Sequence, residues 1–181
     1  MEDQMFLDCF GCDVDYSLGK NFADFADQFS KDSRYRTELY KLRRKFMSHA
    51  DGLIHADLHT SNIMASRDKM KVIDMEFAFM GPFGYDLGYL VGNLISQYCA
   101  ACFKRFPSEQ SRKQFKAYLL ATIKSLIETY MKTFTLCWEK SVKERYRGQQ
   151  GLLQSILQEV MEDVPGYASM VNWLSLIHIS E

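Results

Sequence analysis

Four polar side chains crowd the stretch "LIHADLHTSNIM" at residues 53–64: His55, Asp57, His59 and Asn62. A second apolar run, "KMKVIDMEF", follows at once and carries Asp74 and Glu76. A divalent cation that clamps polyphosphate takes hard oxygen ligands, usually one or two carboxylates completed by phosphate and water. Asn62, Asp74 and Glu76 offer such oxygens, and two residues apart in an extended strand Asp74 and Glu76 would point the same way. A phosphoryl acceptor also needs a carboxylate to orient its hydroxyl and receive the proton, and Asp57 lies just upstream. The ordered pattern H-x-D-x-x-x-x-N, a short hairpin, then D-x-E therefore suits metal-assisted phosphoryl transfer.

Each residue also has a plainer reading. His55 after an apolar pair suits a hydrogen-bonded structural histidine, and His59 a loop position. A zinc site on His55 and His59 is the weaker alternative, because histidines four apart chelate from a helix and this segment leads into a hairpin.

The elements around these residues follow from periodicity. Residues 21–50 read as a helix, with Leu39, Leu42 and Phe46 on one face and a basic cluster (Arg34, Arg36, Lys41, Arg43, Arg44, Lys45) expected to be solvated. "NIMA" and "KMKVIDMEF", split by the turn-forming "SRDK", read as a hairpin. "MGPFGYDLG" is a loop, with Asp86 expected as the N-cap of a helix that turns Leu87, Leu90, Val91, Leu94, Ile95 and Tyr98 inward. In that helix Gly88 and Gly92 permit close approach of a neighbour. A long helix is expected over 111–138, its stripe of Phe115, Leu119, Ile123, Leu126, Tyr130, Phe134 and Cys137 forming core, and a last helix over 150–161.

Composition narrows the class. A chain of 181 residues supports one domain with a sizeable core. A formal net charge of -1 gives no warrant for nucleic acid as the main partner. No apolar run suits a bilayer, and the acidic "MEDQMFLDCF" start is unlike a secretory signal, so no membrane partner is implied and a cytoplasmic location is expected. Five cysteines cannot all pair; Cys9/Cys12 and Cys99/Cys102 have C-x-x-C spacing, but small buried thiols are favoured over a metal knuckle.

"HADLHTSN" followed by "VIDMEF" resembles the catalytic and metal-binding loops of the aminoglycoside phosphotransferase and choline kinase superfamily. "DLHT", the glutamate of "IDMEF" and "GPFGYDLG" leading into "GNLI" make the stretch from Leu53 to Ile95 similar to the methylthioribose kinase family within it. The resemblance implies an α+β, mainly α chain of protein-kinase-like fold, whose helical C-terminal lobe carries a catalytic β-hairpin. It implies ATP and Mg²⁺ as cofactors, a sugar substrate phosphorylated at the 1-hydroxyl of 5-methylthioribose in methionine salvage, and a homodimer in the intact enzyme. Carried over by position, Asp57 is the catalytic aspartate, His59 and Asn62 contact the cofactor, and Asn62, Asp74 and Glu76 hold the metal. Other kinases of the superfamily, acting on choline, homoserine or aminoglycosides, are the alternative reading, and a non-catalytic helical binding fragment is a third.

Three departures from the family pattern stand out. Asn62 replaces a frequent serine at no cost in oxygen ligands. Ala56 replaces a usual glycine, which suits alanine only at negative φ. No glycine-rich strand-turn or lysine-bearing lobe precedes Asp57, and Leu174-Ser175 stand where the family has an arginine pair. The expected organisation is therefore a C-terminal lobe over 1–173 with the N-terminal lobe absent, and an extraneous tail over 174–181.

Overall fold

The computed structural model describes residues 6, 28 and 31–177, with side chains described as far as Asn172. The calls on Cys9, Cys12, the start of the first helix and the last four residues of the expected tail lie outside the described residues.

Helix α1, Ser33–Ser48, is started by Asp32, whose carboxylate accepts from the amides of Arg34 and Tyr35 at 2.9 and 3.1 Å. Leu39 and Phe46 are its buried residues, as the spacing predicts. The basic cluster is not solvated throughout: Lys45 is largely covered and forms ion pairs with Glu159 and Asp163. Opposite charges far apart in the sequence thus tie α1 to the last helix.

Four three-residue strands make two antiparallel pairs. Strand β1, Gly52–Ile54, pairs with β4, Phe79–Gly81, and β2, Ile63–Ala65, pairs with β3, Met70–Val72. The second pair is the expected hairpin, turned by Ser66–Lys69, with Ile63 opposite Val72. The first pair was not anticipated. It brackets the whole segment from residue 55 to residue 78, so both ends of the polar stretch are fixed to one small sheet.

Helix α2, Gly84–Ala100, is the hub. It starts three residues before the expected position, with Phe83 as a cap that has no side-chain bond. Gly84, Gly88 and Gly92 lie one turn apart and face the last helix, α4, Gln150–Ile177. A Cβ on Gly88 would lie 2.6 Å from Tyr167 Cβ, and one on Gly92 2.7 Å from the Ala168 carbonyl oxygen. This is the close approach the glycine spacing predicts. Leu87 and Val91 of α2 bury with Val160, Val164 and Ala168 of α4. A second cluster joins Phe6, Leu39, Phe46, Ile54, Ala56, Tyr85, Tyr167 and Met170, where Phe46 and Tyr85 have ring centroids 4.8 Å apart.

Helix α3, Glu109–Ser141, packs on the outside of α2 and is capped by Ser108, which accepts from the Ser111 amide at 3.1 Å. Its expected core stripe is buried only at Leu119. Ile123, Leu126 and Tyr130 lie half-covered against the α2–α4 core, and Cys137 is exposed. Cys99 and Cys102 are also exposed, contrary to the expectation of buried thiols, because they fall at the open end of α2. Helix α4 corrects a further expectation: it does not stop near residue 161 but continues through Pro165 to Ile177. Proline removes one helical donor at a cost of about 3 kcal/mol in a free helix. Here burial of Tyr167, Ala168, Met170 and Val171 beyond it offsets that cost.

Because the Gly92 contact is to backbone, Gly92→Ala forces α2 away from α4. Urea unfolding should show a loss of about 1–3 kcal/mol, while Gly151→Ala, where a Cβ meets open space, should be neutral or stabilising.

Candidate active site

The site begins where β1 ends. His55 is buried, and both ring nitrogens are used. Its Nδ1 accepts from the Asp57 amide at 3.3 Å, so Nε2 carries the proton and donates to the Ile73 carbonyl at 2.8 Å. This fixes the tautomer and disposes of a zinc site on His55 and His59. His55 is the hydrogen-bonded structural histidine, and its bond reaches the residue before Asp74.

Ala56 has φ 68°, against the expectation of a negative angle for alanine. The chain must reverse between His55 and Asp57 for the Asp57 amide to reach the ring, and only the left-handed region allows so tight a turn. Such a conformation costs a non-glycine residue about 1–2 kcal/mol. The compensation comes from α2. Asp86 is not the helix cap: it lies in the first turn and its carboxylate crosses to the loop, where Oδ2 accepts from the His55 amide at 2.6 Å and Oδ1 from the Ala56 amide at 2.9 Å. Two charge-assisted bonds hold the strained dipeptide. Burial pushes the Asp86 carboxyl above its usual range, against the lowering effect of the two amides.

Asp57, His59 and Asn62 come together. Asn62 is buried and its Nδ2 donates to the Asp57 carbonyl at 3.0 Å and to Asp57 Oδ2 at 3.3 Å, so its Oδ1 is the atom a cation would meet. His59 Nε2 lies 3.4 Å from Asp57 Oδ2. The Ile73 amide donates to the Asn62 carbonyl at 3.0 Å, which brings the start of the D-x-E segment beside the loop.

Asp74 and Glu76 depart from the expectation of an extended strand. Strand β3 ends at Val72, Asp74 has φ 66°, and Glu76 lies in the turn closed by the Ala78 amide on the Met75 carbonyl at 3.1 Å. The chain must bend there to bring β4 back against β1. Asp74 therefore stands one residue beyond the Ile73 tie, and Glu76 a turn further along. Both carboxylates are exposed. Among the described residues no group of three or more His, Cys, Asp or Glu side chains is gathered to hold a metal. An amide oxygen and two carboxylates leave positions for ligand oxygens, a chemistry that suits Mg²⁺ better than zinc.

Two residues of the site were not singled out from the sequence. Asn93 Oδ1 accepts from the Thr60 amide at 3.2 Å and hydroxyl at 2.7 Å, and burial together with the Asp57 charge pushes the Tyr89 phenol well above its usual range. With Asp86 they form a stripe at i, i+3 and i+7 of α2. That spacing is visible in "YDLGYLVGN", although nothing local says that the stripe faces a loop some 30 residues away.

Residues 14–126 match the family model described as phosphotransferase enzyme family. Among curated proteins, a methylthioribose kinase of Geobacillus sp. (strain WCH70) is 31% identical over 99% of this chain and 43% of its own length. Another from Geobacillus thermodenitrificans is 33% identical over 99% of this chain and 44% of its own length. Methylthioribose kinase 1 of Oryza sativa subsp. japonica is 38% identical over 61% of this chain and 25% of its own length. The chain spans less than half the length of these relatives.

Asp86→Asn leaves one oxygen acceptor and turns an NH₂ toward a backbone amide. It should cost about 3 kcal/mol at neutral pH, more than the roughly 1 kcal/mol of a lost cap. Since the folded carboxyl titrates above the unfolded one, the native state takes up its proton first as pH falls. That contribution is fully present below the unfolded value and is lost as pH rises through the raised folded value. The stability gap between wild type and the non-titrating variant should therefore widen as pH falls through that window. Urea midpoints from neutral to mildly acidic pH measure it.

Proposed function

The chain belongs to the phosphotransferase enzyme family, and from that premise we propose that it is the C-terminal catalytic lobe of an ATP-dependent kinase acting on 5-methylthioribose. The observation that carries the reading is the joining of Asp57, Asn62 and the D-x-E segment through His55 and Ile73. A scaffold that had lost catalysis would have no need to hold a strained alanine and a half-buried carboxylate behind an aspartate that is still open to solvent. The relatives named for methylthioribose supply the substrate; nothing in the described residues reads the sugar directly.

In the reaction the chain's own groups position and move a proton. Asp57 orients the sugar 1-hydroxyl and accepts its proton as the oxygen attacks the γ-phosphorus; the bond from phosphorus to the bridging oxygen breaks and ADP leaves. Asn62 fixes the Asp57 side chain through Nδ2 and offers Oδ1 outward. His59 approaches Asp57 Oδ2 from the loop and would meet the nucleotide. Asn62 Oδ1, Asp74 and Glu76 would hold Mg²⁺, which when bound neutralises charge on the polyphosphate. Most of the rate comes from positioning rather than covalent chemistry, so the parts that grip ATP elsewhere in a full-length kinase are needed for turnover.

The test joins this chain to the preceding portion of the Geobacillus thermodenitrificans methylthioribose kinase and measures phosphoryl transfer from ATP. Turnover should favour 5-methylthioribose over choline, homoserine and aminoglycosides. Asp57→Asn should lower kcat about 100- to 10,000-fold with the fold intact, and Asp74→Ala should raise the Mg²⁺ requirement. A preference for another acceptor would overturn the substrate and leave the kinase reading standing. Full activity of Asp57→Asn would overturn the mechanism.

A further inference from the structure

Asn62 is the last residue of a single 3₁₀ turn, Thr60–Asn62, that leads from the loop into β2. A turn this short closes few hydrogen bonds of its own. The Asn62 amide donates to the His59 carbonyl at 3.0 Å, and the Ile63 amide to the Thr60 carbonyl. The amide of Thr60, at the start of the turn, needs an acceptor from elsewhere. His59 stands in the capping position but makes no side-chain cap bond.

The acceptor comes from α2. Asn93 Oδ1 receives both the Thr60 amide, at 3.2 Å, and the Thr60 hydroxyl, at 2.7 Å. From 33 residues away, one oxygen does for this turn what an N-cap side chain does from within a helix. Its support is rigid. Asn93 follows Gly92, where a Cβ would lie 2.7 Å from the Ala168 carbonyl oxygen, so α2 rests there on the backbone of α4. One turn on, Ser96 Oγ donates to Asn172 Oδ1 of α4 at 2.6 Å. Asp57 is anchored separately, through its own amide on the His55 ring. The turn that carries Asn62 can therefore be released while the backbone of Asp57 stays in place.

We propose that Asn93 is a positioning residue: it caps the Thr60–Asn62 turn from a neighbouring helix and so sets the orientation of Asn62 Oδ1 toward the cation that accompanies the nucleotide. The inference rests on the kinase reading for its catalytic consequence, whereas the tie itself stands on the two bonds to Thr60. Once the turn is released, only molecules with Asn62 correctly turned are competent to hold the cation, and apparent affinity falls by that fraction. The loss falls on the Mg²⁺ requirement, and saturating Mg²⁺ recovers kcat.

Asn93→Ala removes the acceptor, and Asn93→Asp keeps an oxygen in its place. In the chain as it stands, Asn93→Ala should strip the Thr60 amide of its protection from hydrogen exchange and move the NMR signals of the Asn62 side-chain NH₂. In Asn93→Asp both should stay near wild type. In the chain joined to its relative's preceding portion, Asn93→Ala should raise the half-saturating Mg²⁺ concentration about 10- to 100-fold. Its kcat at saturating Mg²⁺ should remain close to wild type, and Asn93→Asp should restore the Mg²⁺ requirement. A general loosening of the fold gives neither that split nor that rescue. Unmoved Thr60 and Asn62 signals in Asn93→Ala, an unchanged Mg²⁺ requirement, or Asn93→Asp as impaired as Asn93→Ala overturns the proposal. If Asn93→Ala fails to fold, Thr60→Val removes the hydroxyl donor from the loop side, and the Asn62 signals and the Mg²⁺ requirement decide in the same way. Absence of phosphoryl transfer with Asn93 intact counts against the kinase reading alone, and the Thr60 and Asn62 signals still decide the tie.

Discussion

A half-buried carboxylate that spends both oxygens on two consecutive backbone amides sets the shape of this site. The turn at Ala56 is unfavourable by itself, since a methyl group in the left-handed region meets its own carbonyl. Asp86 makes it the stable arrangement by accepting from both sides of the turn. Once the turn is held, the Asp57 amide faces the His55 ring, the ring faces Ile73, and the segment bearing Asp74 is drawn alongside. Each later contact presupposes the earlier one. The desolvation of Asp86 is the cost of this order, visible in its raised carboxyl.

The clamp works because the helix that carries it cannot shift. Glycines at three successive turns let α2 lie directly on the backbone of α4, and the absence of side chains there leaves little slack to absorb a displacement. Lys45 with Glu159 and Asp163, and Phe46 with Tyr85, attach α1 to the same platform. The β1–β4 pair fixes the two ends of the polar segment to each other. Rigid helix packing on one side and a strained loop on the other is the arrangement expected where catalysis depends on position more than on reactive groups.

What could be read in advance was the chemistry that is contiguous in the chain. Asp57 and Asn62 share one loop, Asp74 and Glu76 one segment, and the hairpin between them announces itself by its turn residues. The Gly88 and Gly92 spacing likewise foretold a close helix neighbour. Contacts that depend on folding were misread or missed. Asp86 at the start of a helical pattern has the local signature of a cap, and only its meeting with residues 30 positions away makes it a clamp. The strand expected to carry Asp74 and Glu76 ends early because β4 must return to β1, a demand set by a pairing that the alternation of apolar residues does not reveal. The last helix, expected to end near residue 161, runs on past Pro165, because apolar residues recurring at Val160, Val164, Tyr167 and Val171 carry α4 through it. There the core outweighs local propensity, as tertiary packing commonly does.

If Asp86 ties the loop to α2, the amides of His55 and Ala56 should open only when the helix core opens. Native-state hydrogen exchange, followed residue by residue, measures this directly. The account predicts that these two amides exchange with the same opening free energy as the central α2 amides, far more slowly than the amides of the Ser66–Lys69 turn. Exchange of His55 and Ala56 at the rate of that turn, with α2 still protected, would mean that the loop moves freely over the helix and that the clamp does not organise the site.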